Sequence, residues 1–390
     1  MKKLMEFFKK NTVRKIMAAT FCFALIRLLV WLLIYLLAAG HPGTVRSVYT
    51  EKIFPVINAP MKFFASLVPF SVGEVLLITL ICLALGGLVF CFARWIYLAV
   101  RKKKGIKGFL RLLAAVSTVL ILVAGNFFVY GGLNYRSLTF KEITGLEITE
   151  TKTEDLEKLC LYLGRKATEA RANLTENEKG VISDTRSGYE LFKVAINGFN
   201  HASEEFPCLE GYLVAAKPAI FSELMSYQQI AGICPIVYAE SIVNTNSTAY
   251  DMPFTASHEL AHQLGFAQED EANFIGYLAS IANEDPLYVY AGYYNGFSYA
   301  MNKLRSFDQD RWAEVWSDPG IDSEGISRDM RNANEIWNAY EKKAPVVSKI
   351  SEAVNDTYLK ANDIKDGTHS YGRMVDLLMA YYKNMINEMD

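Results

Sequence analysis

The sequence predicts a mainly α protein: three transmembrane helices, then a mostly helical domain with a small sheet or edge strand. Three observations carry that prediction. Three apolar runs of membrane-spanning length crowd the first third of the chain. The rest returns to ordinary composition, with apolar residues at helical spacing. A single stretch is rich in β-branched and aromatic residues. The division falls between a membrane domain, 1–133, and a second domain, 134–390, and 390 residues leave room for both. Lys+Arg of 40 against Asp+Glu of 42 gives a net charge of −2, which offers no basic excess for nucleic acid. A hydrophobic share of 51% excludes a disordered chain, and six cysteines are too few for a disulfide scaffold.

The first run, Ile16 to Ala39, reads IMAATFCFALIRLLVWLLIYLLAA, and Arg27 is its one charge. It exceeds the roughly 7–15 apolar residues of a signal peptide, so it reads as a retained anchor. Val75 to Ala93 carries no charge, and in Leu112 to Tyr130 Asn126 is the one strongly polar residue. About 20 apolar residues cross the hydrocarbon core, which places spans at about 16–39, 75–97 and 112–131. Arg27 near mid-span is costly in lipid and is read as packing against another helix.

Orientation follows from the basic flanks. Lys2, Lys3, Lys9, Lys10, Arg14 and Lys15 precede the first span. Arg94, Arg101, Lys102, Lys103, Lys104, Lys107 and Arg111 separate the second and third. The loop between the first two has only Arg46, Lys52 and Lys62. Positive charge marks the cytoplasmic side. The expectation is a multi-pass plasma (cytoplasmic) membrane protein in the lipid bilayer. Its N-terminus is cytoplasmic, and loop 40–74 and everything after Tyr130 are extracytoplasmic. Within that loop, Ile53 to Phe70 (IFPVINAPMKFFASLVPF) is apolar with scattered Pro. It reads either as an interfacial or re-entrant segment or as a cap packed over the spans.

In the second domain, Thr153 to Ala172 has Leu156, Leu159, Cys160 and Leu163 on one helical face, with Thr153 as N-cap. Pro218 to Gln228 reads as helix and Cys234 to Val243 as a strand. Pro253 to Leu264 is a helix that Gly265 can end. Glu269 to Asn283 and Pro286 to Leu304 follow as helices. The tail from Ser323 is mostly helical, with a break near Lys365 to Gly367. Cys208–Cys234 is one conceivable disulfide, but free or buried thiols are the reading preferred.

The chemistry lies in His258-Glu259-Leu260-Ala261-His262, an HExxH motif. On a helix, i and i+4 share a face, so both imidazoles reach one Zn²⁺. Glu259 projects from the same region and can take a proton from a water on the metal. Composition alone would place this pattern in roughly 0.4% of such chains. A third protein ligand is required. A metzincin pattern would need His where Gln268 stands, and an amide oxygen is a poor zinc ligand. The segment Glu269-Asp270-Glu271-Ala272-Asn273 is similar to the ExxAD element of membrane-embedded CAAX-type and heat-shock zinc proteases. That likeness implies Glu269 as third ligand, with Asn273 in place of the Asp that orients a ligating His. Glu271 stays open as the alternative, with Asp270 and Gln268 behind it.

Around this core, Tyr238 and Glu240 on the expected strand could face the cleft. Donors for a developing oxyanion are sought in Thr368 to Arg373, where His369, Tyr371 and Arg373 stand close together. His41 and His201 are read as incidental.

The chain resembles the domain of unknown function 3810 family of bacterial membrane proteins. The resemblance rests on PFTASHELAHQLGFAQEDEANFIGYLA and on YLKANDIKDGTHSYGRMVDLL near the end. It implies a zincin-like membrane protein, and it raises Tyr371 and Arg373 above His369 as catalytic candidates. The expectation is therefore a mostly helical zincin-like, gluzincin-type domain behind three spans, acting as a zinc metallopeptidase on a protein or peptide substrate at the cell envelope. Two rival readings are a non-catalytic zinc-stabilised module binding an envelope partner and a zinc hydrolase of cell-wall peptides.

Overall fold

A computed structural model describes residues 2–100, 106–235, 240–362 and 373–388. It is mainly helical with one small sheet. Three helices are long and apolar enough to cross a membrane: Lys15–Ala38, Val72–Tyr97 and Leu113–Tyr130. Their side chains are mostly exposed, as lipid-facing residues would be. Arg27 of the first span and Asn126 of the third find each other, since Arg27 Nη2 donates to Asn126 Oδ1. The pairing satisfies a charge that hydrocarbon would otherwise leave bare, and it is the packing role expected of Arg27.

The loop between the first two spans is helical. Pro42–Thr44 leads into a π-helical stretch, Val45–Ile53, and then the Phe54–Ser66 helix. The segment carries features of both readings: Lys62 is packed inward, while Val56, Phe63, Phe64, Leu67 and Phe70 are exposed apolar side chains. Lys62 is 3% exposed, and its ammonium donates to the carbonyls of Tyr212 and Gln263 at 2.8 and 2.9 Å. Thr50 Oγ1 donates to Asn134 Oδ1 at 2.9 Å.

The second part of the chain is built on four helices: Thr153–Arg171, Met252–Gln263, Glu269–Ile281 and Pro286–Phe307. Leu156, Leu159 and Leu163 bury the face that their spacing defines, against a partner helix carrying Tyr290 and Phe297. Burying each such side chain contributes on the order of 1.5–3 kcal/mol. The first helix begins at Thr153 itself, with Lys152 in the N-cap position. The tail is helical at Ser323–Lys343, Pro345–Ala361, Met374–Tyr381 and Lys383–Glu388. The expected break at 365–367 lies outside the described residues.

The sheet differs most from expectation. It has three two-residue strands: β1 (Lys217–Pro218), β2 (Gly232–Ile233) and β3 (Ile242–Val243). Their order is β1-β3-β2, parallel between β1 and β3 and antiparallel between β2 and β3. Of the expected strand 234–243, residues 236–239 lie outside the described residues, and among the others Ile242–Val243 is strand. Pro235 supplies no ladder donor, and Glu240 is drawn out of the sheet. Its buried carboxylate accepts from Ser71 Oγ, Val72 N and Gly73 N at 3.0, 3.2 and 2.8 Å. Glu240 therefore caps the N-terminus of the second span, where helix amides lack partners and negative charge is favoured. The cleft-facing role considered for it is not the one it has. Glu74, in the first turn of that span, answers by accepting from the Ile220 and Phe221 amides.

Candidate metal centre

The Met252–Gln263 helix carries the HExxH motif. Pro253 sits in its first turn, where its missing N–H costs nothing. The helix lies over the sheet: Ser241 Oγ, beside β3, donates to the Glu259 carbonyl at 2.8 Å, and Gln263 Nε2 donates to Ser241 Oγ at 2.9 Å. This packing puts one face of the helix in the core and turns both histidines to the other.

His258 Nε2 and His262 Nε2 stand 3.2 Å apart. Glu269 Oε2 lies 3.2 Å from the first and 3.8 Å from the second. One donor atom from each of the three falls within 4.8 Å of the others, so the group could hold a metal ion. Two imidazole nitrogens and a carboxylate oxygen at this spacing can share a cation, or protons where no cation is bound. Burial opposes charge on Glu269, but the two imidazoles overcome it and hold its carboxyl well below the usual carboxylate range. Burial likewise lowers His262, but Glu269 outweighs it, and the imidazole is pushed up to about 9.

Local backbone aims these donors. His262 Nδ1–H donates to the Phe266 carbonyl at 2.7 Å, so Nε2 is the ring nitrogen turned to the other two donors. Phe266 can fold back because Gly265 takes φ 92°, a left-handed conformation that side chains disfavour. A Cβ there would also meet Thr50 Cγ2 at 2.9 Å and Asn134 Nδ2 at 3.1 Å. The Arg46 guanidinium lies 5.3 Å from the Phe266 ring centroid. After this clamped turn, Gln268 is extended and Glu269 opens the next helix.

Glu259 is 4% exposed, and its Oε2 has no hydrogen-bond partner among the described residues. Burial, with a smaller push from Glu269, raises it to about 7, against the pull of both imidazoles. Gly232 in β2 makes room for it, since a Cβ at that position would come within 2.5 Å of Glu259 Oε1. An unpartnered buried acceptor beside the cluster is what a proton-accepting residue requires.

The other expected residues divide. Glu271 is turned away, accepting from the Phe140 amide at 2.6 Å. Asp270 pairs with Arg373 Nε at 3.0 Å, which ties Arg373 to the residue after Glu269. Gln268 serves as the N-cap position of the helix that Glu269 opens. Asn273 is buried, yet neither its Nδ2 nor His258 Nδ1 has a hydrogen-bond partner among the described residues. The imidazole-orienting bond expected of Asn273 is not formed, and for His262 the Phe266 carbonyl does that work. Asn273 instead lies beside the Tyr299 hydroxyl. Tyr238, His369 and Tyr371 lie outside the described residues. Cys208 and Cys234 are both free, and His201 Nδ1 meets the Ala282 carbonyl at 3.0 Å, away from the centre.

Sequence reasoning missed three contributors: the Phe266 carbonyl, Tyr299 and Lys62. Tyr299 is pushed up to about 12, mainly by burial and next by the Glu269 charge. Lys62 holds the C-terminal end of the HExxH helix through the Gln263 carbonyl. A lone lysine in an apolar 18-residue run was the one sign of it.

Fold and site together define a helical protein with three membrane-type helices and a His/His/Glu group able to hold a metal. A family model described as "Protein of unknown function (DUF3810)" matches residues 49–379, and the chain belongs to that family. No curated protein and no solved structure gives a significant match.

Proposed function

We propose that the protein is a membrane-anchored zinc metallopeptidase that hydrolyses peptide bonds outside the cytoplasm. The carrying observation is the convergence of His258, His262 and Glu269 on one point, with the buried, unpartnered carboxylate of Glu259 beside it. The donor set of two imidazole nitrogens and one carboxylate oxygen suits Zn²⁺ and leaves a fourth position open. When bound, zinc supplies Lewis acidity that makes water nucleophilic near neutral pH and polarises the scissile carbonyl. Glu259 takes the proton as the water oxygen attacks the carbonyl carbon. It delivers that proton to the amine nitrogen as the C–N bond breaks. Phe266 keeps His262 in the tautomer that presents Nε2. The basic flanks of the spans support an outward-facing site.

The test is Glu259→Gln in the full chain, in detergent or vesicles. The variant should keep its metal and lose hydrolysis of denatured protein. Full activity in the variant would remove Glu259 as the base. Digestion of purified peptidoglycan but not of protein would move the substrate to cell-wall peptides. Metal binding with no hydrolysis of either by the unsubstituted protein would favour a zinc-stabilised binding module.

A further inference from the structure

The Pro345–Ala361 helix has three sectors, and only two are accounted for. One packs inward through Ser348 and Leu359, both buried. A second is charged, with Lys349, Glu352, Asp356 and Lys360, the last two paired at 2.7 Å. The third is apolar and bare. Val346, Ile350 and Val354 are 68%, 59% and 64% exposed. Their i, i+4, i+8 spacing puts them on one face of a helix with 3.6 residues per turn, and the next step reaches Tyr358.

The spans say what covers this face. The Tyr358 ring packs edge-on against Phe127, in the last turn of the third span, with centroids 6.0 Å apart. Its hydroxyl meets that of Tyr135 at 3.2 Å. Just past the helix, Asn362 Oδ1 accepts from the hydroxyl of Tyr35, in the last turn of the first span, at 3.0 Å. The helix also packs against Ser222–Tyr227. That element is preceded by the Ile220 and Phe221 amides, which bind Glu74 at the start of the second span. The helix is thus tied to the ends of all three spans, and its apolar stripe runs on from a tyrosine resting on one of them. Nearby, Phe221 and Leu224 are exposed as well.

We infer that the Pro345–Ala361 helix lies in the membrane–water interface, with Val346, Ile350 and Val354 seated in the acyl region of the leaflet. An amphipathic helix with a separate charged sector is suited to that position, and an isolated apolar stripe of this kind is otherwise unfavourable on a soluble surface. The inference rests on the spans crossing a bilayer. It holds whether or not the metal centre is catalytic.

The test uses the full chain in vesicles of phosphatidylethanolamine and phosphatidylglycerol. A photoreactive benzoylphenylalanine replaces Ile350, Val354, Lys349 or Glu352, one at a time. All four are exposed, so the bulky group needs no repacking. After irradiation, mass spectrometry should find phospholipid adducts at Ile350 and Val354 and their loss at Lys349 and Glu352. No lipid adduct at the two apolar positions, or equal adducts at all four, would overturn the inference. So would crosslinks from Ile350 to a second copy of the chain, which would make the stripe a protein interface. None of these readings depends on metal or on hydrolysis.

Discussion

Replacing Glu269 by Gln should strip the metal from the centre, while the same change at Glu271 should leave it bound. Two residues apart on a helix, the carboxylates point about 200° from each other, so they cannot serve one point. Glu269 Oε2 faces both imidazoles at 3.2 and 3.8 Å. Glu271 accepts from the buried Phe140 amide at 2.6 Å, and burial, with the Asp270 charge, raises it to about 8. Gln at 271 copies the mostly protonated group and keeps an acceptor for Phe140, so it should cost under about 1 kcal/mol. Ala at 271 is different, because it strands a buried N–H at a cost of about 1–3 kcal/mol in stability. At 269, Gln removes the one anionic donor of the three. Losing a supporting outer partner weakens metal binding roughly 10–100-fold. Losing a direct anionic ligand should exceed the top of that range. At about 1.36 kcal/mol per tenfold, this is more than about 2.7 kcal/mol. The assay is metal content by mass spectrometry after dialysis, followed by competition with a chelator of known affinity. A Glu269→Gln protein that retains one metal per chain at wild-type affinity would refute the assignment. A Glu271→Gln protein that loses its metal while staying folded would refute it equally.

Further outcomes follow from the contacts that tie the first part of the chain to the second. Lys62→Met takes a donor from two carbonyls, those of Tyr212 and Gln263, and should lower stability by about 1–3 kcal/mol, read as a fall in Tm of the full chain. Burial lowers Lys62 from 10.5 to about 8, so between these values the folded state has lost a proton that the unfolded state still holds. Stability relative to Lys62→Met should therefore rise as pH climbs through that window, and be flat below it; a gap that narrows with pH would contradict the burial argument. Glu240→Ala frees Ser71 Oγ, Val72 N and Gly73 N at the start of the second span. It should cost about 1–3 kcal/mol, and unchanged thermal unfolding would show that water replaces the cap without loss.

Much of the fold was legible because its signals are local. Apolar runs mark spans by length alone, and the 153–171, 252–263 and 269–281 helices follow from spacing and punctuation by Pro and Gly. The HExxH core was legible for the same reason: i and i+4 are fixed by helix geometry, whatever surrounds them. Glu269 was separable from Glu271 only by facing, and in the structure Glu269 joins the two histidines while Glu271 binds the Phe140 amide, 131 residues away in sequence. No local pattern announces that partner. The end of the expected strand pairs in the sheet at Ile242–Val243, but composition from 234 to 243 says nothing of where a carboxylate such as Glu240 is needed.

The same limit hid the role of the loop between the first two spans. Its composition fits a membrane surface as well as a cap, and the contacts its polar residues make with the second part of the chain are long-range in sequence. Thr50 and Asn134 close on the Gly265 turn, Arg46 lies by Phe266, and Lys62 holds Gln263, one residue past His262. Glu240 and Glu74 then lock the sheet side of the centre to the second span. These contacts bear on the two elements that aim the ligands, the end of the HExxH helix and the turn that presents Phe266. A fragment cut at residue 134 would keep His258, His262 and Glu269 and lose Arg46, Thr50, Lys62, Ser71 and Glu74. Its buried carbonyls and carboxylates would then stand without donors, each at a cost of about 1–3 kcal/mol. The proposed metal binding and hydrolysis are therefore to be measured on the full chain, where residues 46–74 hold the elements that carry His262 and Phe266.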